Sequence, residues 1–320
     1  MLDSFNRNIE YLRVSLTADC NLRCIYCMPE KGCVQKNKSL TQIEFWRLIK
    51  LICTLGIKKI RLTGGEPLLY PNLPDLIKKI KDLTQIEEVA LTTNGILLEN
   101  KAEQLKKSGL DSINVSLDCM NKNLFARITR GGDIDNVLNG IDKAQKAGMK
   151  LKINSVILQG INEQEIIPLA DFAQHRKILL RFIELMPINV AQKYLGIEER
   201  IILQKLTDVF GKSNLIAENN SPAHYYKFAG AEMPIGFISA LTHKFCARCN
   251  RIRLTSTGFL KPCLHDSRGR DLKILLKEDA SDERIVQAIK ETVYKKPCCH
   301  HLNEASFVQK ETRSMSLIGG

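Results

Sequence analysis

With 320 residues, 44% apolar and 26% charged, the sequence has the make-up of a folded globular protein, which excludes an intrinsically disordered chain. No stretch approaches the roughly 18 apolar residues that span a membrane, and the opening MLDSFNRNIEYLRVSL has no apolar secretory run, so a cytoplasmic protein is expected. The net charge of +12 predicts an anionic partner, either nucleic acid or a polyphosphate.

In chain order, the run Tyr11–Leu16 reads as a strand, and the cysteine-rich stretch Asp19 to Pro29 follows it directly. Leu40 to Gly56 reads as a helix: Thr41 and Glu44 have capping-box spacing, and Ile43, Trp46, Leu48, Ile49, Ile52 and Leu55 recur at helical intervals. Strands are then expected at Lys58–Thr63, Glu88–Thr92, Ser112–Leu117, Lys150–Leu158 and Ile178–Glu184, with helices at Leu73–Leu83, Leu98–Ser108, Asn136–Ala147 and Glu163–His175. Such alternation implies a parallel sheet with right-handed crossovers, and six units predict an incomplete (βα)6 TIM-type barrel. Its loops after the strands share one face, where active sites of such folds are built. Those loops carry the cysteines, Gly64-Gly65-Glu66-Pro67, Thr92-Thr93-Asn94-Gly95 and Ser116-Leu117-Asp118.

From about Leu185 the rhythm changes, which divides the chain into a core at 1–185 and a C-terminal α+β extension at 186–320. A helix is expected at Glu198–Phe210, short strands at Tyr225–Phe228 and Ile235–Ile238, a hairpin turn at Thr257-Gly258, and helices at Asp271–Lys277 and Asp282–Val293.

Eleven cysteines, an odd set clustered at two places, argue against a disulfide framework and for metal chemistry. Cys20, Cys24 and Cys27 are three local thiols. A structural zinc site needs a distant fourth ligand, whereas an iron–sulfur cube held by three cysteines keeps one iron open. Cys246, Cys249 and Cys263 form a second triple across the hairpin turn, and on spacing alone zinc fits them too, with His243 or His265 completing the set. Cys53 and Cys119 read as buried, inert thiols, Cys33 as a reactive neighbour of the first group, and Cys298-Cys299-His300-His301 as structural.

The spacing of Cys20, Cys24 and Cys27 with Tyr26, joined by Gly64-Gly65-Glu66-Pro67, resembles the signature of the radical S-adenosylmethionine superfamily. The motifs CNLRCIYCMPE, RLTGGEPLL, LTTNG, NVSLD followed by ITRGG, RFIELMP, FCARCNRIRLTSTGFLKPCL and the terminal Gly-Gly extend the resemblance, from about residue 9 to 320, to the GTP 3′,8-cyclase family. The resemblance implies two [4Fe-4S] clusters, one on each cysteine triple, and S-adenosylmethionine held by Tyr26, Gly65, Ser116 and Met186. It implies GTP bound by Arg13, Arg61, Thr92, Lys152, Arg251, Ile252 and Arg253, with Arg251, Arg253, Gly319 and Gly320 taking part in catalysis as the tail threads into the site. The implied reaction converts GTP to (8S)-3′,8-cyclo-7,8-dihydroguanosine 5′-triphosphate, first in molybdenum cofactor biosynthesis. An external electron donor, dimerisation and transfer of product to a cyclic pyranopterin monophosphate synthase are further implications; nucleic acid and membrane partners are not expected. Two other readings use the same residues: a radical enzyme that modifies a peptide or RNA with an auxiliary cluster, and a zinc-stabilised basic nucleic-acid-binding protein.

Overall fold

A computed structural model describes residues 1–33, 38–216, 222–302 and 311–319. Twelve strands form one continuous sheet: β1 (Tyr11–Ser15), β2 (Lys59–Thr63), β3 (Glu88–Thr93), β4 (Ser112–Ser116), β5 (Lys150–Val156), β6 (Leu179–Ile183), β7 (Ser213–Ile216), β8 (His224–Phe228), β9 (Ile235–Ile238), β10 (Arg251–Leu254), β11 (Phe259–Lys261) and β12 (Arg270–Asp271). Its order is β12-β11-β10-β1-β2-β3-β4-β5-β6-β9-β8-β7.

The six expected strands β1 to β6 run parallel and in sequence order, as the alternation of strand and helix requires. The extension does more than pack on this partial barrel. It adds β10 in parallel to β1 at one edge and β9 in parallel to β6 at the other, each continued outward by antiparallel strands. Both edges are thus paired rather than left as open templates.

Helices cover the outer face. The first, Gln42–Cys53, starts on the expected capping box, in which the Thr41 hydroxyl accepts from Glu44 N while the Glu44 carboxylate accepts from Thr41 N at 2.7 Å. Residues alternate along the strands, so Leu12, Val14, Ile60, Leu62, Ile113, Val115, Ile153, Leu180 and Phe182 are buried in one continuous apolar core beneath the helices. The intervening residues face the barrel interior. A helix not expected from the sequence, Lys122–Thr129, follows β4; Asn121 caps it by accepting from Leu124 N at 2.9 Å. No helix among the described residues is long and apolar enough to cross a membrane.

Candidate active site

The barrel interior is a cavity of about 410 Å³. Five of the six cysteines of the two triples lie at its ends as the strand directions dictate. Cys20, Cys24 and Cys27 follow the C-terminal end of β1, while Cys249 precedes the N-terminal end of β10 and Cys263 follows β11, which returns antiparallel to that same end. All six cysteines line the one cavity.

The loop of the first group is fixed by its neighbours. Gly64 and Gly65 let the end of β2 press against it: a Cβ on Gly65 would lie 2.2 Å from the Asp19 carbonyl oxygen, and one on Gly64 2.6 Å from that of Thr17. Glu66, fully buried, accepts from Leu68 N, Thr93 Oγ1 and Asn94 N at 2.7–2.9 Å and so ties the ends of β2 and β3 together. Asn94 in turn reaches Cys20 Sγ at 3.8 Å and Asn21 Oδ1 at 2.8 Å. On the opposite side, Tyr26 donates to Asp118 Oδ2 at 2.6 Å, which binds the loop to the end of β4.

Burial raises the thiols of Cys20 and Cys24 and pushes Cys27 up to about 12, with neighbouring cysteines adding to the shift in Cys24 and Cys27. Three buried thiols close together ionise only when a strongly cationic centre takes them as thiolates, which is the condition a cluster meets. All are free of disulfides. Among the described residues, neither triple brings three ligand atoms within 4.8 Å of one another, as a single ion demands, so the spread donor sets suit a multi-iron centre better than zinc.

In the second group, burial raises Cys249 but the cations Arg251 and Lys296 outweigh it, leaving the thiol at about 6. Neither expected histidine closes a zinc set there. His265 lines the cavity with Nε2 3.1 Å from Met186 Sδ, and His243 lies outside the cavity, 3.4 Å from a Glu199 oxygen.

Between the cysteine groups the wall is cationic. Eight basic residues line it (Arg13, Lys59, Arg61, Lys152, Arg181, Arg251, Arg253 and Lys296) against one carboxylate, that of Asp118. Strand register explains the density: Arg253 is level with Arg13 and Arg13 with Arg61, so three arginines stand abreast on neighbouring strands whose backbones are about 4.8 Å apart. Burial, with the neighbouring cations Arg61 and Arg251 adding to it, brings Arg13 down to about 10, and burial with Arg181, Lys59 and Arg61 brings Lys152 to about 8. Burial pushes the Tyr11 phenol up, but Arg61, Arg13 and Lys59 prevail and set it at about 8. So much like charge in a shielded space calls for an anion.

Polar groups complete the wall. Arg61 is aimed by Tyr11 OH at 2.5 Å, Leu91 O at 2.9 Å and Thr92 Oγ1 at 3.4 Å, and Arg181 by Asn154 Oδ1 at 2.7 Å. Gly236 on β9 makes room for Arg181, whose Cγ would lie 2.9 Å from a Cβ there. Buried Asn114 lines the cavity, and its Oδ1 has no hydrogen-bond partner among the described residues.

Tyr26, Gly65, Ser116, Met186, Arg13, Arg61, Thr92, Lys152, Arg251 and Arg253 therefore all reach this one space. Ile252 differs: its side chain is fully buried in the outer core, because β10 alternates, and only its backbone can meet a substrate. The tail does come into the barrel, where Arg253 donates to the Gly319 carbonyl and Met315 lines the cavity. Gly320 lies outside the described residues. Cys53 and Cys119 are fully buried as expected; Cys33 accepts from Ser316 Oγ at 3.4 Å, and His300 Nε2 lies 2.6 Å from Ala240 O. Sequence reasoning passed over Tyr11, Lys59, Asn114, Asp118, Asn154 and Arg181. For all but Arg181 the signal was available: each shares its strand's inward parity with a residue that was named, or follows the end of such a strand; Arg181 is found only through its register with Asn154.

The profile of the Radical SAM superfamily matches residues 14–173, and that of Molybdenum Cofactor Synthesis C matches 178–302. Curated relatives named GTP 3′,8-cyclase align over 100% of both chains, at 43% identity in Clostridium botulinum (strain Langeland), 42% in Clostridium perfringens (strain SM101) and 40% in Pelotomaculum thermopropionicum. Among solved structures, Streptococcus suis SuiB bound to precursor peptide SuiA superimposes on 98% of this chain and 76% of its own with a TM-score of 0.66. At 17% identity it shares the fold alone.

Proposed function

The chain belongs to the GTP 3′,8-cyclase family of radical S-adenosylmethionine enzymes, and from that premise we propose how its residues divide the work. The reaction is the conversion of GTP to (8S)-3′,8-cyclo-7,8-dihydroguanosine 5′-triphosphate, the first step of molybdenum cofactor biosynthesis, with two [4Fe-4S] clusters and S-adenosylmethionine as cofactors. When bound, these supply an open iron for each ligand, one electron and the adenosyl radical that removes hydrogen from ribose C3′.

In this reading the core is 1–185 and the extension 186–320. Cys20, Cys24 and Cys27 hold the first cluster and Cys246, Cys249 and Cys263 the second. Tyr26, Gly65, Ser116 and Met186 form the S-adenosylmethionine pocket, with Asp118 fixing Tyr26. Arg13, Arg61, Lys152, Arg251 and Arg253, with Lys59 and Arg181 beside them, neutralise the triphosphate, and Thr92 and the Ile252 backbone add uncharged contacts. Gly319 delivers the tail to Arg253, with Gly320 following it, so that Arg251 and Arg253 are placed against the reacting nucleotide. An external reductant feeds the clusters, the protein works as a cytoplasmic dimer, and the product passes to a cyclic pyranopterin monophosphate synthase.

The observation that carries this division is the row of buried cations between two cysteine triples in one cavity. Anaerobic incubation with S-adenosylmethionine and GTP tests it. Cys20→Ala should abolish S-adenosylmethionine cleavage, whereas Cys263→Ala should keep some cleavage and lose the cyclised nucleotide. Equal behaviour of the two variants would overturn it, as would modification of a peptide or RNA in place of GTP.

A further inference from the structure

On the other side of β9 from the cavity lies a second set of ligating groups. Ile238 and Ala240 line the cavity, whereas Ser239 between them donates a hydrogen bond to Glu199, the first residue of the helix Glu199–Phe210. His224, at the start of β8, places Nε2 2.7 Å from Glu199 Oε1, and His243, in the loop after β9, places Nδ1 3.4 Å from Glu199 Oε2. One atom from each of the three lies within 4.8 Å of the others, the only such group of His, Cys, Asp or Glu among the described residues.

We propose that Glu199, His224 and His243 form a binding site for a borderline divalent cation of the zinc class, with a fourth position open to water. Around a tetrahedral zinc at about 2.1 Å from its ligands, neighbouring ligand atoms are about 3.4 Å apart, a separation within the 4.8 Å that the three groups already keep. Two imidazoles and one carboxylate select zinc over magnesium or calcium, which take oxygen ligands throughout. With no thiolate in the set, iron–sulfur chemistry is excluded from it.

The ligands are held in place before any ion arrives. His224 stacks on Phe237 with ring centroids 6.0 Å apart and meets the edge of Tyr226 at 5.8 Å. Tyr226 OH reaches Glu199 Oε1 at 3.4 Å. The loop carrying His243 is pinned by Glu184, which accepts from Leu241 N and Thr242 N at 2.7 and 3.1 Å, and by His243 N donating to Ser239 O at 2.9 Å. An ordinary ion pair accounts for Glu199 with His224. His243, whose ring is exposed, is turned to the same carboxylate and brings a second imidazole to it. A bound ion would tie the helix, β8 and β9 to the loop that runs on into Cys246 and Cys249.

The test uses the full chain reconstituted anaerobically with both clusters, its iron verified, and dialysed against zinc chloride with and without excess magnesium. Zinc per chain is measured for the wild type and for His243→Ala, whose exposed position makes folding safe, together with the melting temperature of each. The expected result is one zinc in the wild type, insensitive to magnesium and accompanied by a higher melting temperature, with affinity at least about tenfold weaker in the variant. Equal zinc uptake by the two proteins, including uptake at cysteines, overturns the proposal, as does no uptake by the wild type.

Discussion

Arg253 donates a hydrogen bond to the carbonyl oxygen of Gly319, joining the wall of the cationic cavity to the end of the chain. Gly319 suits the place because its φ is +78° and a Cβ would come within 2.9 Å of Thr63 Cγ2 and 3.1 Å of Ser15 Cβ. Gly319→Ala should therefore lower formation of cyclised nucleotide by about ten- to a hundredfold while S-adenosylmethionine cleavage continues. Product and 5′-deoxyadenosine measured in the same anaerobic reaction decide it; full cyclisation by the variant would mean that the tail is ornamental.

The segment leading to Gly319 is anchored by a fully buried ion pair, Lys261 with Glu311, and by Arg313 on the same carboxylate at 2.8 Å. Removing the carboxylate strands the fully buried Lys261 ammonium, so Glu311→Met should cost about 3–5 kcal/mol, while Glu311→Met with Lys261→Met should recover much of it. Denaturant melts of the three proteins provide the comparison. A single variant as stable as the wild type would contradict the anchoring role.

Triphosphate binding should weaken above pH 8. Lys152 titrates at about 8 because of burial and the cations Arg181, Lys59 and Arg61, and Tyr11 at about 8 because Arg61, Arg13 and Lys59 overcome its burial. Deprotonation removes a positive charge in the first case and adds a negative one in the second, so both oppose an anion as pH rises. GTP dissociation constants from equilibrium dialysis between pH 7 and 9.5 should rise for the wild type and rise less for Lys152→Arg combined with Tyr11→Phe. Parallel curves would remove these two groups from the explanation.

Crowded guanidinium groups trade stability for binding. Arg181→Gln and Arg13→Gln should each weaken GTP by about 10- to 100-fold, from the roughly 1.5–3 kcal/mol of a charged hydrogen bond, yet leave the nucleotide-free protein melting no lower than the wild type. A drop in both quantities would show that these arginines are structural.

Gly65→Ala should empty the first cysteine group and spare the second, since its Cβ would strike the Asp19 carbonyl beside Cys20 at 2.2 Å. Iron analysis after reconstitution should show about half the iron of the wild type, a two-cluster protein losing one. Undiminished iron would break the link between the close approach of these loops and the cluster.

The parallel core was legible because each strand and helix carries its own local pattern; even the Thr41–Glu44 cap and the Thr257-Gly258 turn stand where they were read. Pairing across long separations left no such trace. Nothing in the run Arg251–Leu254 says that it joins β1, or in Ile235–Ile238 that it joins β6, so the widening of the sheet at both edges was not foreseen. The site was read through motifs, which single out cysteines and glycines; Lys59 lies outside them, and Asn114 and Arg181, though they open NVSLD and RFIELMP, take their importance only from inward parity and register. Ile252 shows the converse, a residue inside a motif whose side chain points away.

Because β1 and β10 lie side by side in one sheet, the spacing of the two cysteine groups is a strand length rather than a hinge angle. Five residues of β1 at about 3.3 Å each span roughly 16 Å, with Cys20, Cys24 and Cys27 beyond one end and Cys249 and Cys263 beyond the other. The barrel thus works as a ruler. A one-residue insertion in β1 would not lengthen it usefully, since the change of parity would turn Arg13 into the apolar core.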